Sequence, residues 1–207
     1  MWRSRVSDAP YRAHGSHLPV LEGVLAMLPR PIYALELGAG EYSTPWFKQE
    51  ADFLWTVEPL VEWQPKPSHS HIVEPTYWPI SPPIGPDGDE VTWSIALVDH
   101  AVALRREAVI QLRGNCHCIV VHDTQVRDYH LYGWGDGTLR ARDGESVLHV
   151  QDKWHGLWTT AIFDASMPNY GSSTPISRLV KKLIVQGHKV AWDIGPGRGD
   201  CGPSTPM

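Results

Sequence analysis

The chain has 207 residues, 18 Lys+Arg against 23 Asp+Glu, and a formal net charge of −5. A 42% apolar share supports a sizeable core and excludes disordered and fibrous classes, and the acidic balance argues against a clamp that neutralises many phosphates. Three Cys, an odd number, argue against a disulfide scaffold and suit a reducing compartment. The N-terminus lacks the apolar core of a signal peptide, and no apolar run approaches the ~18 residues of a membrane span. A soluble cytoplasmic protein is expected, with neither membrane nor nucleic acid as partner. The unusual numbers are 10 Trp, 11 His, 18 Gly and 18 Pro.

Residues 1–15 read as a polar arm. Ser16 is placed to cap a helix through Leu28, with Leu18, Leu21, Leu25 and Leu28 at helical spacing, and Pro29 and Pro31 end it. Ile32–Leu37 reads as a buried strand, 42–51 as a helix and Phe53–Val57 as a second strand. Residues 59–90 carry eight Pro and read as a covering loop, with His71–Glu74 the one strand candidate inside it. Thr92–Val98 (strand), Ala101–Arg113 (helix, with Ala101, Leu104, Ala108 and Leu112 on one side) and Cys116–Val121 (strand) follow. After a Gly-rich loop at 127–146 come strands at Val147–Val150 and Thr159–Phe163. A last helix opens at Thr174 and keeps Ile176, Leu179, Val180, Leu183 and Ile184 on one stripe until Gly187; Lys189–Ile194 reads as a final strand. Strands alternating with helices imply an α/β fold, a doubly wound, mostly parallel sheet with helices on both faces and long Pro/Trp-rich loops.

The most informative stretch is Ala34-Leu-Glu-Leu-Gly-Ala-Gly-Glu-Tyr-Ser-Thr44. A strand delivers Glu36, Gly38 and Gly40 turn the chain, and a helix begins near Tyr42, so backbone N–H groups approach a ligand closely. Twenty residues past Gly38, Glu58 ends the next strand, where an acid accepts both hydroxyls of a ribose. The third glycine of a dinucleotide fingerprint is replaced by Ser43, and Glu41 in the turn would oppose a pyrophosphate. Glu36 suits a cationic group instead. S-adenosylmethionine carries an amino group and a sulfonium but no phosphate, so charge favours it over NAD or FAD.

On these residues the chain resembles the class I, Rossmann-like S-adenosylmethionine-dependent methyltransferases. Glu36-Leu-Gly-Ala-Gly40 matches their first motif and Phe53–Glu58 their second strand and ribose acid. Ile95–His100 and Cys118–Thr124 match strands four and five. The resemblance spans roughly residues 16–165 and implies a cofactor-binding domain there, with 1–15 as an arm and 166–207 as a helix/strand extension on the same domain. It implies cofactor contacts from Glu36, Gly38, Ala39, Gly40, Tyr42, Ser43, Thr44, Glu58 and Asp99, and a methyl-transfer zone at Asp99, His100 and His122. Within the class, Asp99-His100 and Asp123 resemble the catechol O-methyltransferase-like branch, where acids ending strands four and five hold Mg²⁺ against a substrate diol. That branch has Asn where Thr124 stands, and its base, a lysine, is missing after His100. Without metal, His100 or His122 would serve as base. The expected function is methyl transfer to an oxygen of a small-molecule acceptor; a nucleoside-binding protein without turnover and a NAD-dependent oxidoreductase are the rivals.

Other features have plainer readings. Cys116 and Cys118 are expected to share one strand face as buried thiols rather than a zinc pair. His69 and His71 read as loop residues, and Arg198-Gly-Asp200 as a chance tripeptide. Trp46, Trp55 and Trp93 read as structural, while Trp63, Trp78, Trp134, Trp154 and Trp158 are candidates for an aromatic lid over the site.

Overall fold

A computed structural model describes residues 15–68, 70–74, 84, 88–125, 134–164 and 174–195. Residues 1–14 of the arm, His69, Trp78 and the Arg198-Gly-Asp200 tripeptide lie outside the described residues. The helices are α1 (Leu18–Leu25), α2 (Ser43–Glu50), α3 (Val102–Leu112) and α4 (Thr174–Val185). The strands are β1 (Tyr33–Leu37), β2 (Phe53–Val57), β3 (His71–Glu74), β4 (Ile95–Val98), β5 (Cys118–His122), β6 (Ser146–Gln151), β7 (Trp158–Phe163) and β8 (Lys189–Ile194).

All eight strands form one sheet in the order β3-β2-β1-β4-β5-β7-β6-β8. From β3 to β5 every pairing is parallel; β5–β7, β7–β6 and β6–β8 are antiparallel. The antiparallel edge follows from connection length. Only residues 152–157 separate β6 from β7, too few for a crossover. Asp152 tightens that turn by accepting the N–H groups of Trp154 at 3.0 Å and His155 at 2.7 Å.

Side-chain alternation sorts the strands into two cores. Ala34, Leu54, Leu97, Val120 and Phe163 point to the face covered by α1, α2 and α4; Leu35, Val57, Val98, Val121 and Ile162 point to the face covered by α3. On the first face α4 sits close to α1, because Gly23 has no Cβ: one built there would lie 2.1 Å from Leu179 Cδ1. The buried stripe of α4 is Ile176, Leu179 and Leu183; Ile184, expected on it, is exposed.

Three further expectations are corrected. α1 ends at Leu25, and the chain leaves it in a tighter turn, Leu28 N–H bonding the Leu25 carbonyl. Ser16 does not cap it; its hydroxyl is turned to His122. The two thiols face opposite cores, Cys118 with the first and Cys116 with the second, since the chain bends at His117 before β5 begins. Both are buried, and Cys116 Sγ donates to the Cys118 carbonyl at 3.1 Å.

The chain lays down β1, β2 and β3 outward in one direction, then returns across β1 to start β4 on its other side. The strand order therefore reverses between β1 and β4. A crevice at the carboxyl ends of the strands is the expected binding place in such sheets.

Candidate functional site

A cavity of about 540 Å³ opens at that reversal. Its wall takes Gly38, Ala39, Gly40 and Glu41 from the turn after β1, and Glu58 with Leu60 and Trp63 after β2. Asp99, His100 and Arg105 come from the end of β4 and from α3, and His122 and Asp123 from the end of β5. That volume lies within the range of small-molecule sites.

The turn is built for close approach. Gly38 has φ +95°, and a Cβ there would lie 2.7 Å from the Asp99 carbonyl oxygen, so only glycine lets the ends of β1 and β4 meet. Behind the turn, Thr44 Oγ1 accepts the Gly40 N–H at 3.0 Å and donates to Glu36 Oε2 at 2.8 Å. Thr56 Oγ1 donates to the same oxygen at 2.9 Å and is itself bonded to His71 Nε2 at 2.9 Å. Burial pushes the Glu36 carboxyl up to about 7, against the hydroxyls of Ser43, Thr44 and Thr56.

Glu36 is thus fully buried and holds the turn in shape from below; it does not line the cavity. The same holds for Tyr42, Ser43 and Thr44. Tyr42 packs against the first core, and the Ser43 and Thr44 side chains are buried in the start of α2. Of the nine expected cofactor contacts, Gly38, Ala39, Gly40, Glu58 and Asp99 face the cavity. The first motif carries two jobs in one string, and only burial separates them.

At the far wall Asp99, His100, His122 and Asp123 converge. His122 Nδ1 lies 3.1 Å from Asp99 Oδ1, and its Nε2 lies 2.7 Å from Ser16 Oγ. Burial alone would raise the Asp99 carboxyl, but the His122 charge and hydrogen bond, with His17 and Arg105, hold it near 2. Burial would conversely lower His122, and Asp99 raises it instead. His100 is lowered to about 4 by burial and then by Arg105.

The Asp99–Asp123 pair, expected to hold Mg²⁺, already has a cation. Arg105 Nη2 lies 3.2 Å from Asp99 Oδ1 and its Nη1 lies 3.5 Å from Asp123 Oδ2. The guanidinium also donates to the His100 carbonyl at 2.7 Å and the His122 carbonyl at 2.9 Å. A hard divalent ion needs six or more oxygens, and the space between these two carboxylates is filled by the fork of Arg105. The residues do not fit that ion.

Arg105, Ser16 and His17 were not read from the sequence as site residues. Arg105 had a signal: it stands at 105, 108, 109, 112 spacing with Ala108, Val109 and Leu112, the buried stripe of α3. A charged residue on such a stripe needs a polar destination. Ser16 and His17 carried none beyond the helix start.

The aromatic lid reduces to one described side chain. Trp63, 55% exposed, stands on the cavity rim; Trp134 is buried in the second core, Trp154 packs on His188, and Trp158 opens β7. His71 is buried beside Thr56, away from the cavity.

No family model matches the chain, and no curated protein does. Solved structures similar to it include a provisionally assigned hemolysin of Streptococcus thermophilus, at 15% identity over 84% of this chain and 74% of that one, TM-score 0.49. An O-methyltransferase of Bacillus cereus in complex with S-adenosylhomocysteine matches at 11% identity over 75% and 83%, TM-score 0.47. Human methyltransferase-like protein 13, in the same kind of complex, matches at 13% over 84% and 90%, TM-score 0.49. Ribosomal RNA methylases of Escherichia coli and Streptococcus thermophilus are also matched. The fold itself, a doubly wound, mostly parallel Rossmann-like α/β sheet, is given by the strand order of this chain.

Proposed function

We propose that the chain binds S-adenosylmethionine in the crevice between β1 and β4 and catalyses methyl transfer to an oxygen of a small acceptor. The observation that carries this reading is the charge of the cavity wall: Glu41, Glu58, Asp99 and Asp123 against Arg105. A wall of that sign attracts a cationic ligand and repels a pyrophosphate, which disfavours NAD, and the phosphates of a nucleic acid, which favours a small neutral acceptor. The glycine turn and Glu58 supply the nucleoside half of the site. Glu58 accepts the N–H of Ala39 at 3.0 Å and of Leu60 at 2.9 Å, one on each carboxylate oxygen. Each oxygen keeps a further lone pair for a ribose hydroxyl.

When bound, the cofactor supplies an electrophilic methyl group on a sulfonium. The residues of the chain do the rest. Gly38, Ala39 and Gly40 hold the amino-acid end, Glu58 the ribose, and Trp63 offers its face to a flat ring. Asp99, on the cavity wall, would offer its carboxylate to the positive centre. His100, on the cavity wall and kept neutral by burial and by Arg105, would receive the acceptor's proton. Aligning the acceptor oxygen with the methyl group accounts for most of the rate. The buried free thiols of Cys116 and Cys118 suit a cytoplasmic setting.

Calorimetric titration with S-adenosylhomocysteine and with NAD tests the cofactor; tight NAD with no S-adenosylhomocysteine binding would sink the reading. Methyl-transfer assays across catechols, sugars, small acids and an RNA fragment test the acceptor. Cofactor binding without product from any acceptor points to a binding protein.

A further inference from the structure

We propose that His17, Asp99 and His122 form a binding site for a divalent transition-metal ion of the zinc class, which shares Asp99 with the Asp99–Asp123 pair but does not use Asp123. The three side chains come from three places in the fold: the residue preceding α1, the residue after β4 and the last residue of β5. One donor atom from each lies within 4.8 Å of the others. His17 and His122 are buried and their rings meet edge to face at 4.7 Å between centroids. Two imidazoles and one carboxylate are a borderline-soft donor set, the kind that takes Zn²⁺, Co²⁺ or Fe²⁺ rather than Mg²⁺.

Two further observations point the same way. Metal-bound imidazoles are oriented by a partner on the other ring nitrogen, and here His122 has one nitrogen toward Asp99 and the other 2.7 Å from Ser16 Oγ. The charge also points that way: Asp99 and Asp123 outnumber Arg105 by one, so a cation entering between Asp99 and neutral imidazoles meets net negative charge. Ligation requires a neutral imidazole, so the proton shared by His122 and Asp99 would pass to solvent. Asp99 and His122 also line the cavity, so the fourth position of a three-ligand ion would face a bound molecule, as in catalytic rather than structural zinc sites.

This inference does not rest on the cofactor reading, and its test is separate. The full chain, stripped with a chelator, is titrated with Co²⁺ and then with competing Zn²⁺, following visible ligand-field absorption and bound metal per chain. One ion per chain is expected, with the intense absorption of a four- or five-coordinate site. His17→Ala should weaken Zn²⁺ binding by at least about tenfold and Ser16→Ala by about 10–100-fold. His155→Ala, at an exposed histidine, should leave it unchanged. Absence of stoichiometric binding to the wild type overturns the proposal. So does an affinity that falls with Asp123→Asn but not with His17→Ala, which returns the ion to the carboxylate pair. If His17→Ala does not fold, as judged by circular dichroism, Ser16→Ala decides. S-adenosylhomocysteine titration on the same stripped protein reports the cofactor site independently.

Discussion

The backbone N–H of Ala39 donates to Glu58 Oε2 across 3.0 Å, joining the glycine turn after β1 to the end of β2. Through this bond and its twin to Leu60, the Glu58 carboxylate fixes the two loops that the nucleoside would lie between. Glu58→Ala removes both the proposed ribose acceptor and the brace. Hydrogen bonds to a charged group contribute about 1.5–3 kcal/mol each, so S-adenosylhomocysteine should bind about 10–100-fold more weakly by calorimetry. An unchanged Kd would place the ribose elsewhere.

Gly38 should tolerate no side chain. Gly38→Ala combines φ +95° with a Cβ 2.7 Å from the Asp99 carbonyl oxygen and 2.9 Å from His100 Cα, all backbone atoms that cannot move aside. Gly114, between α3 and β5, has φ +80° with nothing within 4 Å of a Cβ. Urea unfolding of Gly114→Ala should show a loss of about 1 kcal/mol from the backbone conformation alone. Gly38→Ala should lose at least about 3 kcal/mol. Equal losses would mean that the strand ends do not pack as described.

The parallel half of the sheet was legible because its signals are local. Phe53–Val57 and His71–Glu74 are strands at the expected residues, and the glycine turn and Glu58 sit where strand–turn–helix spacing puts them. What was not legible depends on depth. Glu36 and Glu58 look alike as acids ending strands, yet one is sealed under the turn and the other lies on the cavity wall. Arg105 reaches across from α3, and Ser16 reaches 106 residues along the chain to His122, contacts that no periodicity encodes. The thiols show the reverse: two-residue alternation failed because of a single bend at His117.

Glu36 gives the stability a pH dependence whose sign follows from its burial. Its carboxyl is raised from 4.5 to about 7 in the fold, so the folded state holds the proton more tightly than the unfolded chain. Stability from this group is fully present below 4.5 and is lost as pH rises through about 7. Glu36→Gln cannot titrate and keeps a carbonyl oxygen for Thr44 and Thr56. Relative to wild type, the variant should gain up to roughly 3 kcal/mol between about pH 5 and about pH 8. Urea titrations of both proteins at the two values measure it, and a constant difference would show that the carboxyl is already ionised in the fold at the acid end.

Trp63 separates binding from folding. It is 55% exposed on the cavity rim, so Trp63→Ala should change stability by no more than about 0.5 kcal/mol. Stacking on a base contributes about 1–3 kcal/mol, so S-adenosylhomocysteine affinity should fall about tenfold, with Trp63→Phe in between. Loss of stability without loss of affinity would make this residue part of the loop's own packing.

Arg105 joins the ends of β4 and β5 by geometry as well as by charge, and two substitutions separate the contributions. Its Nε and Nη1 reach the His100 and His122 carbonyls at 2.7 and 2.9 Å, while its carboxylate contacts are longer, at 3.2 and 3.5 Å. Arg105→Lys keeps the charge but cannot span both carbonyls and both acids. Leaving buried carbonyls unpaired costs about 1–3 kcal/mol each, so the lysine variant should lose roughly 2–4 kcal/mol in urea unfolding. Asp123→Asn removes Arg105's longest contact and the 3.7 Å pairing of Asp123 with His122, both at a carboxylate with 27% of its side chain exposed, and should lose less than about 1 kcal/mol. If Lys rescues Arg105 while Asp123→Asn is severe, charge neutralisation rather than the tether holds the two strand ends. The shorter carbonyl contacts favour the tether, because a buried carbonyl has no water to fall back on when its donor is withdrawn.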